Sequence, residues 1–196
     1  MAIVINGSGT VTGLAVGGLP DGTVDDGTVA SGIASSKLTG ALPAISGASL
    51  TGFTDGQMPA GSVVQVVTAN HSTNVDSTSA TFADTGLTAN ITPSSTSNKI
   101  LVIANHTNTK SNGATQVGLK LFRDSTEIRK ARYLADTNDS TRNHISVTIV
   151  DLDTPSSSSQ ITYKTQFNNE QGSGTTSINA GGTNGPSTIT LMEIAG

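Results

Sequence analysis

The densest concentration of chemically useful side chains lies between residues 120 and 133. Lys120, Arg123, Arg129, Lys130 and Arg132, five of the ten bases in the chain, stand there beside Tyr133. Arginine offers a planar, bidentate fork to anionic groups. The segment is therefore a candidate contact for an anionic glycan or lipopolysaccharide, or for an acidic neighbouring subunit. The competing expectation is a solvated strand face, with Asp124 and Glu127 neutralising part of the charge.

The other candidate groups point away from catalysis. Asp151 and Asp153 lie two apart and would share one face of a strand. Glycosidases use paired carboxylates, but theirs come from separate elements around a sugar cleft usually lined by aromatics, and this chain has no Trp. Solvation at a strand end is the expectation for this pair. His71, His106 and His144 lack the spacing of a metal site, so solvent-facing or hydrogen-bonded rings are expected; on the axis of a trimer one of them could bind an ion. Asp136, Asn138 and Asp139 are similar to part of a calcium loop but lack its glycine and distal glutamate, which leaves a solvated turn. The chain has no cysteine, no Gly-x-Ser-x-Gly elbow and no phosphate-cradling Gly-x-x-x-x-Gly-Lys. No catalytic residue, cofactor or metal is expected, and the protein reads as a non-enzyme.

Charge and hydropathy narrow the partners. Ten Lys and Arg against 14 Asp and Glu give a net charge of -4, which cannot build the basic footprint that nucleic-acid binding needs. No apolar run approaches the roughly 20 residues that cross a bilayer, and no cationic start leads into a long apolar core. Neither membrane insertion nor a signal peptide is expected.

The elements that must position these residues change character near residue 60. Residues 1–60 hold 12 of the 22 glycines but a single aromatic, Phe53, and a single base, Lys37. Such a stretch cannot bury enough apolar surface alone to offset about 1–2 kcal/mol of backbone entropy per residue. Its aliphatics are nevertheless regularly placed, as in the repeat of Leu38-Thr39-Gly40 at Leu50-Thr51-Gly52. Two alternatives follow: a thin, intertwined trimeric stalk whose core is shared between chains, or a flexible tether. Residues 61–196 carry β-branched runs about every ten residues, separated by Ser, Asn, Asp and Gly clusters. Strands are expected near 62–69, 79–84, 86–92, 99–106, 115–123, 126–134, 143–151, 159–167 and 187–194. Val117, Leu119 and Leu121 alternate with polar or small residues, as do Ile161, Tyr163, Thr165 and Phe167. By contrast, Ile100-Leu101-Val102-Ile103 is apolar on both faces, which fits a central strand or one whose outer face packs on another subunit. Asp124-Ser125 reads as a tight hairpin turn. The pattern indicates an all-β chain, a jelly-roll-like β-sandwich head preceded by a Gly-rich extended stalk or arm. With so few aromatics, the head's core is expected to consist of Val, Ile and Leu and to be completed in part across subunit contacts.

Several stretches carry a family resemblance. They are the opening Met1-Ala2-Ile3-Val4-Ile5-Asn6-Gly7-Ser8-Gly9-Thr10, the run from Ser36-Lys37-Leu38-Thr39-Gly40-Ala41-Leu42-Pro43 to Leu50-Thr51-Gly52, and the ending Ile189-Thr190-Leu191-Met192-Glu193-Ile194. Within the head they are Gly61-Ser62-Val63-Val64-Gln65-Val66-Val67, Ile91-Thr92-Pro93-Ser94-Ser95-Thr96-Ser97-Asn98-Lys99, and Leu121-Phe122-Arg123-Asp124. Together they resemble virion fibre proteins of tailed phages, particularly marine and cyanobacterial ones. The resemblance implies a homotrimeric structural protein located in the virion, made in the host cytoplasm. Its N-terminal segment would hold other virion proteins, and its tips would face outward toward host surface glycan. The chain is shorter than typical host-range fibres, so a short fibre and a capsid decoration trimer both fit. A glycan-active enzyme and a cellular adhesin are the readings from other classes.

Overall fold

The computed structural model describes residues 58–112, 115–137, 143–171, 174–179 and 185–196. The Gly-rich segment up to residue 57, with its stalk and tether alternatives, and the turn through Asn138 and Asp139 lie outside the described residues. Among the described residues every regular element is a strand: β1 (Val63–His71), β2 (Val75–Ser77), β3 (Ala83–Ile91), β4 (Lys99–Asn112), β5 (Thr115–Arg123), β6 (Thr126–Thr137), β7 (Asn143–Asp153), β8 (Ile161–Asn169), β9 (Thr175–Ile178) and β10 (Ser187–Ile194).

The strands form two sheets. In one, β10 lies between β1 and β4, and β7 pairs the other side of β4; short β9 pairs the far end of β4 and carries β2 beside it. The other sheet runs β3-β8-β5-β6. Four antiparallel pairings, β5·β6, β4·β7, β3·β8 and β1·β10, join the first half of the domain to the second in reverse order. They make one long ribbon with Asp124-Ser125 at its tip, and successive rungs of that ribbon fall in alternate sheets. This wrapping is the jelly roll, and it creates a sandwich from a single folded hairpin. The tip is pinned: Asp124 adopts φ 52°, its N–H donates to the Thr162 carbonyl at 2.7 Å, and its Oδ1 accepts from the Thr162 N–H at 2.9 Å.

Period-two alternation decides which side chains fill the sandwich. Leu87, Ala89 and Ile91 of β3, Ile100, Val102 and Ala104 of β4, Val117, Leu119 and Leu121 of β5, and Ile189 and Leu191 of β10 all point inward and are buried. Tyr163 and Phe167 of β8 are fully buried among them. The expectation that Val, Ile and Leu fill the core is corrected in one respect: two of the six aromatics, Tyr163 and Phe167, sit at its centre. Ile100-Leu101-Val102-Ile103 belongs to the central strand β4, with Ile100 and Val102 inside and Leu101 and Ile103 half-buried on the outer face.

Two local expectations also change. The strand expected at 79–84 is irregular before Ala83, because hydroxyls capture its backbone: the Ser79 N–H donates to Ser77 Oγ at 3.2 Å and the Thr81 N–H to Ser79 Oγ at 3.0 Å. The division expected at residue 85 is instead a bulge inside β3, where Gly86 takes φ +84° beneath the His71 ring. Strands β2 and β9, three and four residues long, are too short to show a period in sequence.

Candidate functional site

The basic residues of the β5–β6 hairpin are dispersed by their register. Lys120 lies directly opposite Lys130, and both ammonium groups sit over the Phe82 ring, at 4.4 and 5.2 Å from its centroid. Lys120 is neutralised by Glu127 at 2.6 Å. Arg123 and Arg129 reach out of their sheet to β7 in the other one. Arg123 donates to both oxygens of Asp153, at 2.8 and 2.9 Å, and Arg129 to Asp151 at 3.1 Å. The buried Tyr163 hydroxyl also donates to Asp153, at 2.6 Å. Burial, and then that hydrogen bond, pushes the phenol well above its ordinary pKa. Asp151 and Asp153 are thus clamps across the open edge of the sandwich, not the solvated strand end expected from their spacing. Each carboxylate is paired with its own arginine.

Arg132 and Tyr133 form a different arrangement. Val117 pairs with Leu134 and Leu119 with Ala131, so Arg132 and Tyr133 together oppose the single residue Gly118. This is a β-bulge, and Tyr133 occupies it at φ 59°, a conformation that costs a bulky side chain of order 1 kcal/mol or more. The Glu170 carboxylate, almost completely buried, holds the bulge open. It accepts from Arg132 Nε at 2.6 Å and from the Tyr133 N–H at 3.2 Å. Gly118 makes room for it, since a Cβ there would stand 2.9 Å from Glu170 Oε1 and 2.3 Å from Asn168 Oδ1. The result is a Tyr133 ring that is 61% exposed, with the Arg132 guanidinium carbon 4.9 Å from its centroid. Ring and guanidinium offer one flat apolar face and one cationic edge, a combination suited to stacking against a sugar ring that carries a carboxylate or sulfate.

The histidines occupy unlike places. His144 is exposed on β7. His71, half-buried, pairs with Ser187 across β1 and β10, and His106 on β4 is fully buried. Neither His106 nitrogen has a partner among the described residues, and burial with the His71 ring nearby drives its pKa down to about 4. Among the described residues no three His, Asp or Glu side chains gather as a metal site. A shallow pocket of about 160 Å³, lined by Asp84, Gly86, Leu87, Thr88, Lys164 and Thr165, is smaller than the roughly 300 Å³ at which ligand pockets begin.

A polar knot escaped the reading by spacing, although its members lie in stretches that carry the resemblance. Glu193 is fully buried at the end of β10. It accepts from Gln65 Nε2, from the Ser94 N–H and hydroxyl at 2.7 and 2.6 Å, and from Asn98 Nδ2 at 2.6 Å. Burial raises its pKa, but these donors outweigh burial and hold the carboxyl below its ordinary value. Asn98 Oδ1 in turn accepts the Gly196 N–H at 3.1 Å. Three stretches distant in sequence therefore meet on one carboxylate.

No protein-family model matches the chain, and no curated protein matches it in sequence. Among solved structures, infectious bursal disease virus of the Gx strain aligns at 15% identity and TM-score 0.38, over 67% of this chain and 32% of the other. The VP2 subviral particle of that virus aligns at 13% identity and TM-score 0.34, over 67% and 37%. The Stig cyclase Fisc from Fischerella sp. TAU, in complex with an indole ligand, aligns at 13% identity and TM-score 0.33, over 53% and 52%. The chain spans about half of the cyclase and about a third of the viral chains. Overlaps of this size carry no functional conclusion.

Proposed function

We propose that this protein is a structural component of a virion, a homotrimeric short fibre of a tailed phage whose jelly-roll heads contact the host surface. Residues 1–60 serve attachment to other virion proteins. The observation that carries host contact is the strained, outward-turned Tyr133 held over Gly118 by buried Glu170. Strain at an exposed aromatic, fixed by a buried carboxylate, is costly unless the displayed surface is used. The sequence resemblance and the jelly-roll wrapping, which is shared by viral capsid and lectin domains, support the virion setting. Three weak sites displayed on one trimer act through avidity. In this reading the head acts as a binding module, and Asp151 and Asp153 serve its structure through their pairs with Arg129 and Arg123.

The second reading is a capsid decoration trimer, which the same resemblance fits. Gold-labelled antibody to the head, applied to intact particles, separates the two. Label at the tail supports the fibre, and label spread over the capsid shell supports decoration. Particles without label overturn both. Soluble full-length protein should compete with particles for adsorption to host cells, and the Tyr133→Ala protein should compete at least tenfold less well.

A further inference from the structure

The outer faces of the two sheets differ in character. On the β3-β8-β5-β6 sheet the outward residues are mostly polar, among them Asp84, Thr88, Asn90, Thr162, Lys164 and Gln166, with Phe122 half-buried beside Lys120. On the other sheet the outward residues change along the strands. At one end Asn70, Thr188, Asn105 and Thr148 form a wholly polar cross-strand row. Two steps along, Val66, Met192, Leu101 and Leu152 form a wholly apolar row, each directly opposite the next across all four strands. Val63, Ile194, Ile103 and Val150 adjoin that row. Val66 and Leu152 are 53% and 52% exposed, and Val63 and Val150 48% and 46%.

We infer that this apolar half-face is where copies of the chain meet one another. The inference rests on the trimeric reading above and names the surface that builds it. The eight side chains form one contiguous apolar patch, the kind of surface that marks an interaction site on a soluble protein. Lys99 is the charged residue at its margin, so the patch offers little to an acidic or nucleic-acid partner. An uncharged apolar surface is instead suited to burial against the same surface of two neighbouring copies around a three-fold axis. Position agrees. The patch lies at the end of the sheet where the chain enters, with the Gly61 N–H bonded to the Ala195 carbonyl at 2.8 Å and Val63 paired to Ile194. Heads that meet there bring their chain-entry ends, at Gly61 and Val63, close to one another.

Native mass spectrometry of the full chain, with a concentration series by light scattering, tests the assignment. Wild-type protein should be a trimer, and Val66→Glu and Leu152→Glu should each shift its dissociation to at least tenfold higher concentration. Ser146→Glu, on the polar half of the same face, should leave the trimer intact. These positions are exposed, and matching thermal melts confirm that the variants fold. A wild-type trimer unmoved by Val66→Glu and Leu152→Glu overturns the surface and leaves the trimeric reading standing. A wild-type dimer dissociated by both upholds the surface and overturns the trimer. A wild-type monomer overturns both.

Discussion

Replacing His106 with leucine should flatten the acid side of the head's stability profile. In the folded protein the imidazole is buried without a partner for either nitrogen among the described residues, and burial brings its pKa to about 4, against an ordinary value of 6.5. The neutral ring is therefore the native form. Above pH 6.5 neither state carries the proton, and the full stability is present. Between pH 6.5 and about 4 the unfolded chain binds a proton that the folded chain refuses, so stability falls as the pH drops through this window. At about 1.4 kcal/mol per pKa unit, the loss attributable to this residue is about 2 kcal/mol at pH 5 and about 3 kcal/mol at pH 4, after which it levels off. Urea unfolding followed by far-UV circular dichroism, at about pH 8 and at half-unit steps down to about pH 4, measures it. Wild-type protein should lose about 3 kcal/mol more than His106→Leu over that range. Parallel profiles for the two proteins would refute the assignment of His106 as a neutral, unpartnered core residue.

Three further changes probe the bulge and the knot. Tyr133→Gly relieves a positive φ and should unfold at the same or higher urea concentration, by up to about 1 kcal/mol, while abolishing glycan binding. Gly118→Ala places a methyl group against Glu170 and Asn168; it should cost about 1–3 kcal/mol in urea unfolding and weaken glycan binding through loss of the bulge's support. Glu193→Ala leaves the Ser94 and Asn98 donors unpaired and should cost about 2–4 kcal/mol by the same measurement. Because the folded Glu193 carboxyl titrates below its ordinary value, its stabilisation is present above the ordinary carboxylate range and disappears as the pH falls through the folded value, and the variant should lack that component.

The fold was more legible in the sequence than the site. Alternation at Val117, Leu119 and Leu121 and again at Ile161, Tyr163, Thr165 and Phe167 marks strands whose inner residues are the buried ones, because a period of two is a property of local sequence. The sandwich class follows from their number. Strands β2 and β9 hide because three or four residues show no period, and Ser77 and Ser79 divert the chain from the strand that its composition suggests. Partners across the sandwich were out of reach. Asp151 and Asp153 look like one site along the strand, yet the jelly-roll wrapping brings β7 against the β5–β6 edge and gives each carboxylate its own arginine. The hairpin patch from Lys120 to Tyr133 was found as a run of bases, but the register spends Arg123 and Arg129 on that edge and turns Arg132 and Tyr133 outward. Glu170, almost forty residues downstream, gives no local signal of its part in that display.

Glycan recognition at Tyr133 can be read directly, because the chain has two tyrosines and no tryptophan. Tyr163 is fully buried and Tyr133 largely exposed, so a change in intrinsic fluorescence on adding a saccharide reports on Tyr133. Full-length protein titrated with sulfated or carboxylated oligosaccharides should give a saturable change that neutral counterparts do not produce and that Arg132→Ala abolishes. An unresponsive wild-type protein, or a response unchanged in Arg132→Ala, would contradict the binding role of the bulge.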